Sequence, residues 1–405
     1  MRSTLLRRVA ALATTLGLTS LGLLGAGAAP AQAAVADCPS GYFCAWKTDD
    51  GTGTMFKTRT DLSSLGSWDN AFHAVVNHTS KFACLYDDAN FSGPTYVWDP
   101  DPKGTEWGHA GGRVGSVALV STARECVKPA YPRWYASPAG GKADFGDLNG
   151  DRRADVLVRD TAGRLWFLPG DLSGRMVGTG GWNGMSALTR HGDFSRDGRE
   201  DVIAREASTG KLWLYPGTGT GGLGSRKLIG TGGWNGMAHV TAFGDLTGDG
   251  RSDLIAVQKS TGKLYLYPGT ASGGLGSRKL IGTGGWNSMN ALVGMGDTNG
   301  DGHPDLYARE ASTGRLWFYP GTGSGGLTSR VLIGTGGWNT MNVLLSAGDV
   351  NADGHPDLVT ATKADFVAEE CRGVGCQLVY EGRGTGHIAP GVVVGDDWYG
   401  LNGAF

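Results

Sequence analysis

The sequence predicts an all-β protein of two parts, the second a β-propeller of five blades. Three observations predict it. An acidic loop recurs five times, as DLNGDRRAD from Asp147, DFSRDGRED from Asp193, DLTGDGRSD from Asp245, DTNGDGHPD from Asp297 and DVNADGHPD from Asp349, at intervals of 46, 52, 52 and 52 residues. A period of that size marks an array of supersecondary units. Within each copy, brief apolar or alternating runs such as NALVGMG, DLYARE, RLWFYPG and RVLIGTGGW are separated by turn residues, which makes four strands and leaves no room for a helix. Glycine stands at 71 of 405 residues against a usual share of about 7%, with no collagen period, as many tight turns require. Four-stranded units repeated radially bury their faces against one another in a propeller.

The chain opens with Arg2, Arg7 and Arg8, continues through an apolar Ala/Leu-rich run from Val9 to Ala29, and reaches Ala31-Gln32-Ala33. That order of basic, apolar and small residues predicts a secretory signal peptide over residues 1–34 and an extracellular protein. The remaining chain of about 370 residues is too long for one ordinary core. A formal charge of −2, with no basic face or polybasic patch, argues against nucleic-acid partners, and no later run is long enough to insert in a membrane. A monomer is expected. The six cysteines fall as near pairs, Cys38 with Cys44, Cys84 with Cys126 and Cys371 with Cys376, and in an oxidising compartment an even count favours three disulfides. No zinc-finger or zinc-ribbon spacing is present.

Residues 37–127 carry four of the cysteines and no echo of the repeat, and form a first domain. An aromatic residue followed after six residues by Gly occurs twice there, from Trp46 to Gly53 and from Tyr86 to Gly93. This pattern resembles the twofold Greek-key signature of βγ-crystallins, and with CPSGYFCAW at the start it resembles the secreted bacterial peptidase-inhibitor family built on that fold. The resemblance implies a small Greek-key domain and a secreted protease as partner. Two departures stand against its sites. Where the βγ-crystallin calcium motif ends in hydroxyl residues, DNAFHA from Asp69 has His73 and Ala74, while GGRVGS from Gly111 lacks the acidic or amide pair, so little calcium is expected in this domain. The short disulfide-clamped loop of the characterised inhibitors has no counterpart after Cys84.

Residues 128–141, with three prolines in KPAYPRWYASPAGG, read as a linker, and residues 142–405 as the propeller. The last copy is degenerate: Val379 replaces an aromatic, and GDDWYG around Trp398 stands where GTGGWN is expected. With Trp134 placed before the first copy, the two ends of the array are expected to meet and close the ring.

Each acidic loop offers side-chain oxygens at positions one, three, five and nine. The twenty candidates are Asp147, Asn149, Asp151 and Asp155; Asp193, Ser195, Asp197 and Asp201; Asp245, Thr247, Asp249 and Asp253; Asp297, Asn299, Asp301 and Asp305; and Asp349, Asn351, Asp353 and Asp357. Hard oxygens crowded in a tight loop suit Ca2+, which turns mutual repulsion into cohesion, and up to five structural sites are expected. An EF-hand is excluded, because position twelve holds Val158, Ala204, Ala256, Ala308 and Thr360 instead of Glu. The pattern resembles the FG-GAP/VCBS repeats of integrin-like propellers, whose loops bind Ca2+. Loop one has Arg152 where the others have Gly and is expected to bind most weakly.

No catalytic constellation is visible. HExxH is absent, and Gly217-x-Gly219-x-x-Gly222 and Gly321-x-Gly323-x-x-Gly326 lie in blade turns rather than in a βαβ unit. His191 has no companion Ser or Cys in a recognisable arrangement. A non-enzyme is expected.

GTGGWN, ending at Asn183, Asn235, Asn287 and Asn339, has two readings. A repeated Trp supplies inter-blade packing. Glycines that admit close approach, with Asn and an exposed indole face, could also bind sugar. LIGTGGWN resembles the repeat of tachylectin, a five-bladed lectin propeller with N-acetylhexosamine sites between blades. By position that resemblance implies Trp182, Asn183, Trp234, Asn235, Trp286, Asn287, Trp338 and Asn339 as ligand residues, although the inserted acidic loop departs from it. The chain therefore reads as a secreted non-catalytic binding protein for carbohydrate or a cell-surface glycan. The competing reading is a peptidase inhibitor or protein-interaction protein with the propeller as scaffold.

Overall fold

The computed structural model describes residues 35–121, 123–127, 131–139, 145–363, 366–368, 371, 375–398 and 401–405; the expected signal peptide lies outside them, as does part of the expected linker. Apart from one short helix, Ala123–Val127, and single 3-10 turns, the described regular structure is β. No helix among the described residues is long and apolar enough to cross a membrane.

The chain divides into two compact units, and the division runs through the expected first domain. The first unit comprises the described residues up to Arg59 together with Ala71–Ser80 and Pro100–Gly112. Its antiparallel sheet has the order Met55–Thr58, Phe43–Trp46, Ala74–Asn77, Trp107–His109. Val35, Cys38, Cys44, Trp46, Ala74 and Val76 form its core, where the Cys38–Cys44 disulfide sits.

The second unit holds a three-stranded sheet, Ser92–Trp98, Phe82–Asp88, Ser116–Val120, and five four-stranded sheets. Cys84 joins Cys126 beside the three-stranded sheet, and Cys371 joins Cys376 in the fifth blade. All three disulfides read from the sequence are thus formed.

Blades two to five share one plan. In blade three the strands Met237–Gly244, Asp253–Gln258, Lys263–Tyr267 and Lys279–Gly282 lie side by side in chain order, each antiparallel to the next. Successive blades meet face to face over apolar clusters. Leu212, Leu214 and Trp234 of blade two, for example, pack with Met237, Leu254 and Tyr267 at blade three. Inner strands such as Asp253–Gln258 and Asp305–Glu310 are buried along almost their whole length, because neighbouring side chains point to opposite faces and both faces are covered by other blades.

Blade one departs from the plan, and the expected meeting of the two ends of the array takes place in it. Its sheet order is Arg175–Gly178, Leu165–Leu168, Val156–Asp160 and then Leu401–Ala404, so the C-terminal strand supplies the place taken elsewhere by a blade's first strand. Trp134 and Trp398 lie in the same cluster as Trp166 and Val359, at the closure of the ring. The stretch around Trp134, within the expected linker, is bonded to the propeller: Ala136 N–H donates to Gly170 O at 3.0 Å and Ser137 N–H to Val350 O at 2.8 Å.

Candidate functional site

The acidic loops join the first and second strands of blades two to five and precede the second-strand position in blade one. Backbone hydrogen bonds fold each loop around its first aspartate. The position-six N–H donates to that aspartate's Oδ2 at 2.8 Å from Arg152, 2.7 Å from Gly198, 2.6 Å from Gly250, 2.8 Å from Gly302 and 2.8 Å from Gly354. The position-five carboxylate takes the position-seven N–H, at 2.8 Å in loop one and 3.1 Å in loop three. A carboxylate oxygen has two lone pairs, so each of these can also face a cation.

Position nine does different work. Asp155, Asp201, Asp253, Asp305 and Asp357 are fully buried. In loops two to five the Oδ1 accepts from a glycine of the third-to-fourth-strand turn, Gly217, Gly269, Gly321 and Gly382, at 2.9, 2.9, 2.9 and 2.8 Å. Oδ2 is taken by a loop N–H, that of Leu246 in loop three at 3.0 Å. Position nine therefore ties the loop to the opposite turn of its blade. Burial pushes these carboxyls up: Asp155 to about 8, Asp201, Asp305 and Asp357 to about 6, and Asp253 in the same direction. Asp155 is highest, and its Oδ1 is buried without a partner among the described residues.

Loop two brings three carboxylates closest. Asp193, Asp197 and Asp201 each place an oxygen within 4.8 Å of the others, the one such group among the described residues. Ser195 Oγ adds a fourth oxygen, 3.4 Å from Asp193 Oδ1 and 3.3 Å from Asp201 Oδ1. This all-oxygen donor set fits Ca2+ rather than a softer ion. In loops one, four and five the position-three Asn instead donates its amide to the position-five carboxylate, at 3.0 Å from Asn149 to Asp151, 2.9 Å from Asn299 to Asp301 and 2.9 Å from Asn351 to Asp353. Thr247 occupies the same position in loop three, its Oγ1 3.3 Å from Asp245 Oδ1.

Arg152 has φ 69° and Arg196 and Ala352 have φ 66°, in the left-handed region. The requirement at position six, where Arg152 stands, is plain in the sequence; the one at position four is less so, because arginine and alanine also fill it. Gly150, Gly248 and Gly300 at position four were the available signal, with φ of 84°, 75° and 78°. Loops three and four alone have glycine at both positions.

The GTGGWN tryptophans begin 3-10 turns, each capped by a left-handed glycine such as Gly233 at φ 80°. Each indole packs on a tyrosine of the following blade: Trp182 on Tyr215, Trp234 on Tyr267, Trp286 on Tyr319 and Trp338 on Tyr380, with ring centroids 4.9, 4.6, 4.8 and 4.7 Å apart. Trp234, Trp286 and Trp338 are each 8% exposed, and Trp182 is half-buried. The asparagine amides are spent within the repeat, donating to Thr161, Ala207, Lys259 and Ala311 carbonyls at 2.9, 2.8, 2.8 and 2.7 Å. The geometry gives these eight residues a packing and turn-holding role, with the Asn side chains at or near the surface.

A second repeated feature was not singled out in the sequence. Arg226 stacks on Trp213, Arg278 on Tyr265 and Arg330 on Trp317, with the guanidinium carbon 4.0, 4.2 and 3.8 Å from the ring centroid. The arginines are exposed, the rings half-buried, and the indole nitrogens of Trp213 and Trp317 have no partner among the described residues. Ser-Arg repeated at the same offset in three copies was the signal. His191 is buried, its ring 3.9 Å from that of Phe145, and burial holds it neutral with its pKa lowered to about 3.

With this geometry in view, residues 31–98 match the peptidase inhibitor family I36, and residues 193–256, 245–308 and 297–360 match the FG-GAP-like repeat. The chain thus carries a βγ-crystallin-like inhibitor-family domain followed by FG-GAP-like repeats. No curated relative matches. Among solved structures, a βγ-crystallin from Ciona intestinalis is similar at 22% identity, over 20% of this chain and 99% of its own, with a TM-score of 0.17. A lectin from Agrocybe aegerita, described as recognising non-reducing terminal N-acetylglucosamine, is similar at 14% identity over 89% of this chain and 91% of its own, with a TM-score of 0.37. The calcium-binding protein regucalcin from Agrobacterium tumefaciens is similar at 15% identity over 64% and 74%, with a TM-score of 0.34.

Proposed function

We propose that this chain is a secreted, non-catalytic binding protein whose calcium-held propeller recognises carbohydrate or a cell-surface glycan at several equivalent places. The observation that carries the reading is the threefold recurrence of an exposed guanidinium on a half-buried aromatic ring, at Arg226, Arg278 and Arg330. Planar guanidinium groups donate in a fixed fork to sugar hydroxyls, and the ring beneath each one holds it in place. Asn235 and Asn287 remain exposed beside the blades and contribute amide oxygens. Weak sites displayed in register gain from effective concentration on a polymeric ligand. Trp182, Trp234, Trp286 and Trp338 then frame the sites from within the blade interfaces.

The acidic loops hold Ca2+ in this reading, with loop two the fullest donor set and Asp193, Asp197, Asp201 and Ser195 as ligands. The ion supplies positive charge to carboxylates that otherwise repel, and the loop backbone orients them.

A glycan array probed with the full chain in Ca2+ tests the proposal. Binding to N-acetylhexosamine polymers that is lost in the R226Q/R278Q/R330Q variant is expected. A blank array, or binding indifferent to that variant, overturns it. The second reading, peptidase inhibition, is favoured by the I36 match at residues 31–98. Inhibition of thermolysin-like or subtilisin-like proteases by the full chain is its assay.

A further inference from the structure

Opposite charges are sorted along each repeat. Residues 211–230, 263–282 and 315–334 are the third and fourth strands of blades two to four with their joining turns, and they contain eight lysines or arginines and no aspartate or glutamate. The carboxylates of the same blades lie in the acidic loops or, as Glu206 and Glu310, at the ends of second strands. A central cavity is lined by the first strands of blades two to five and by the C-terminal strand in blade one, so the fourth strands are the outer edges. A chain charge of −2 therefore conceals a positive outer half in three blades.

On that edge the charge takes one form three times. Arg226, Arg278 and Arg330 each stand immediately before a fourth strand, Lys227–Gly230, Lys279–Gly282 and Val331–Gly334. Trp213 pairs with Leu228, Tyr265 with Leu280 and Trp317 with Leu332. Alternate residues of a strand share a face, so each arginine, two residues before its leucine, lies over the ring with which that leucine pairs. The ring covers one face of the guanidinium and leaves in-plane N–H groups directed outward. Leu228, Leu280 and Leu332 are 40%, 44% and 37% exposed beside them. Among the described residues none of the three arginines has a carboxylate partner, and Arg330 also reaches Tyr319 Oη at 3.5 Å. The flanking blades have Gly174 and Gly391 at the same place, where the rings of Tyr131 and Tyr380 leave no room for a Cβ. The feature thus occupies an arc of three consecutive blades.

Building on the glycan reading of the same arginines, on which the inference rests, we propose that this arc binds an acidic polysaccharide, a sugar chain along which uronate carboxylates or sulfates recur. A guanidinium fork meets such a group with two parallel hydrogen bonds, a stronger and more directional match than a neutral hydroxyl offers. Three guanidiniums without counter-charge set one sign of potential along the arc, and a polyanion supplies the missing sign. The exposed leucines lie where the apolar C–H faces of the sugars can rest. Lys227 and Lys279 add charge at the seams between blades, their ammonium groups donating to Ser272 O and Ser324 O of the next blade. Single-stranded nucleic acid fits less well, because it is held by bases stacked on free aromatic faces. Here a guanidinium already covers each ring.

The test measures binding of the full chain in Ca2+ to oligosaccharides of equal length: hyaluronan, which alternates glucuronate with N-acetylglucosamine, chondroitin sulfate, and chitin, which carries N-acetylglucosamine without charge. Acidic sugar is expected to bind at least roughly tenfold more tightly than chitin, since exposed ion pairs are individually weak and three act together. Tighter binding of chondroitin sulfate than of hyaluronan assigns the recognised group to sulfate, and equal binding assigns it to carboxylate. Removing the acid groups by desulfation and carboxyl reduction, or making R226Q/R278Q/R330Q, is expected to abolish the advantage, and added salt to shrink it. K57Q/R59Q removes two exposed cations that lie over Tyr42 in the first unit and leaves binding unchanged. Chitin bound as tightly as both acidic sugars overturns the proposal and spares the glycan reading, whereas no binding to any of the three overturns both. Equal binding to polyglutamate or single-stranded DNA overturns it as well, because any polyanion would then serve. The chemically neutralised sugars keep the test independent of whether a variant folds.

Discussion

Trp134 and Trp398 meet edge to face, ring centroids 6.2 Å apart and planes at 69°, although all five acidic loops lie between them in the chain. Both are fully buried, and the Trp134 indole N–H donates to Ala154 O at 2.6 Å. Among the described residues Trp398 has no such partner for its indole nitrogen.

That asymmetry predicts different tolerances. Trp134→Ala and Trp398→Ala are each expected to cost about 3–5 kcal/mol, the usual loss for truncating a buried large aromatic. Trp398→Phe discards an unsatisfied N–H along with some volume, and a loss below about 1.5 kcal/mol is expected. Denaturant unfolding of the three variants checks the ranking. Equal losses for Trp398→Ala and Trp398→Phe would contradict it.

Gly230 is predicted to be intolerant of even a methyl group. A Cβ there would stand 2.3 Å from Trp234 Nε1 and 3.1 Å from Leu212 Cβ. Gly230→Ala must push the indole away from Tyr267, and a loss of about 1–3 kcal/mol is expected from overpacking. Thermal melting together with tryptophan fluorescence reports both the loss and the moved ring.

Chelation is expected to lower the melting temperature. A loop holding Ca2+ at one hundred times its dissociation constant contributes about 2.7 kcal/mol to stability. Titrating EGTA into the full chain and following the melt measures this. Asp193→Asn combined with Asp197→Asn removes part of the shift, because loop two has the closest carboxylates. A melt indifferent to chelation would count against structural calcium.

Arg152→Gly is expected to strengthen loop one. A left-handed conformation costs a non-glycine residue about 1–2 kcal/mol, which Arg152 bears at φ 69°. The change also removes a cationic side chain from beside an acidic loop. Calcium titration by isothermal calorimetry should show tighter or additional binding in this variant; unchanged binding would mean that loop one is limited by something else, such as the buried and unpartnered Asp155 Oδ1.

The array was legible because its signals are periodic. Each loop's acidic residues, the blade strands and the GTGGWN turn recur at an offset of 52 residues, with the first acidic-loop interval shortened to 46, so a single copy could be checked against the rest. Closure was legible from Trp134 and Trp398, the two aromatics left over at the ends. The inter-blade tyrosines were harder to read. That Trp234 would face Tyr267 depends on which face of each strand meets the next blade, and the alternation in KLYLY permits either. The use of Asp201, Asp253, Asp305 and Asp357 to hold a distant turn was hidden for another reason: their partners are backbone N–H groups, which have no letter in the sequence. The left-handed position four escaped notice because Arg196 and Ala352 fill it as well as glycine.

Arg159 and Asn402, bonded across the strand pair that completes blade one, are 243 residues apart. During synthesis, strand Val156–Asp160 must therefore wait, one flank unpaired, while four further blades are made. An unpaired flank accepts any extended segment that reaches it, including one from a neighbouring nascent molecule. Pairings this distant are also slow to form. The yield of correctly built molecules thus depends on how crowded the newly made chains are during that interval, and dilution or a helper that shields the waiting strand should raise it.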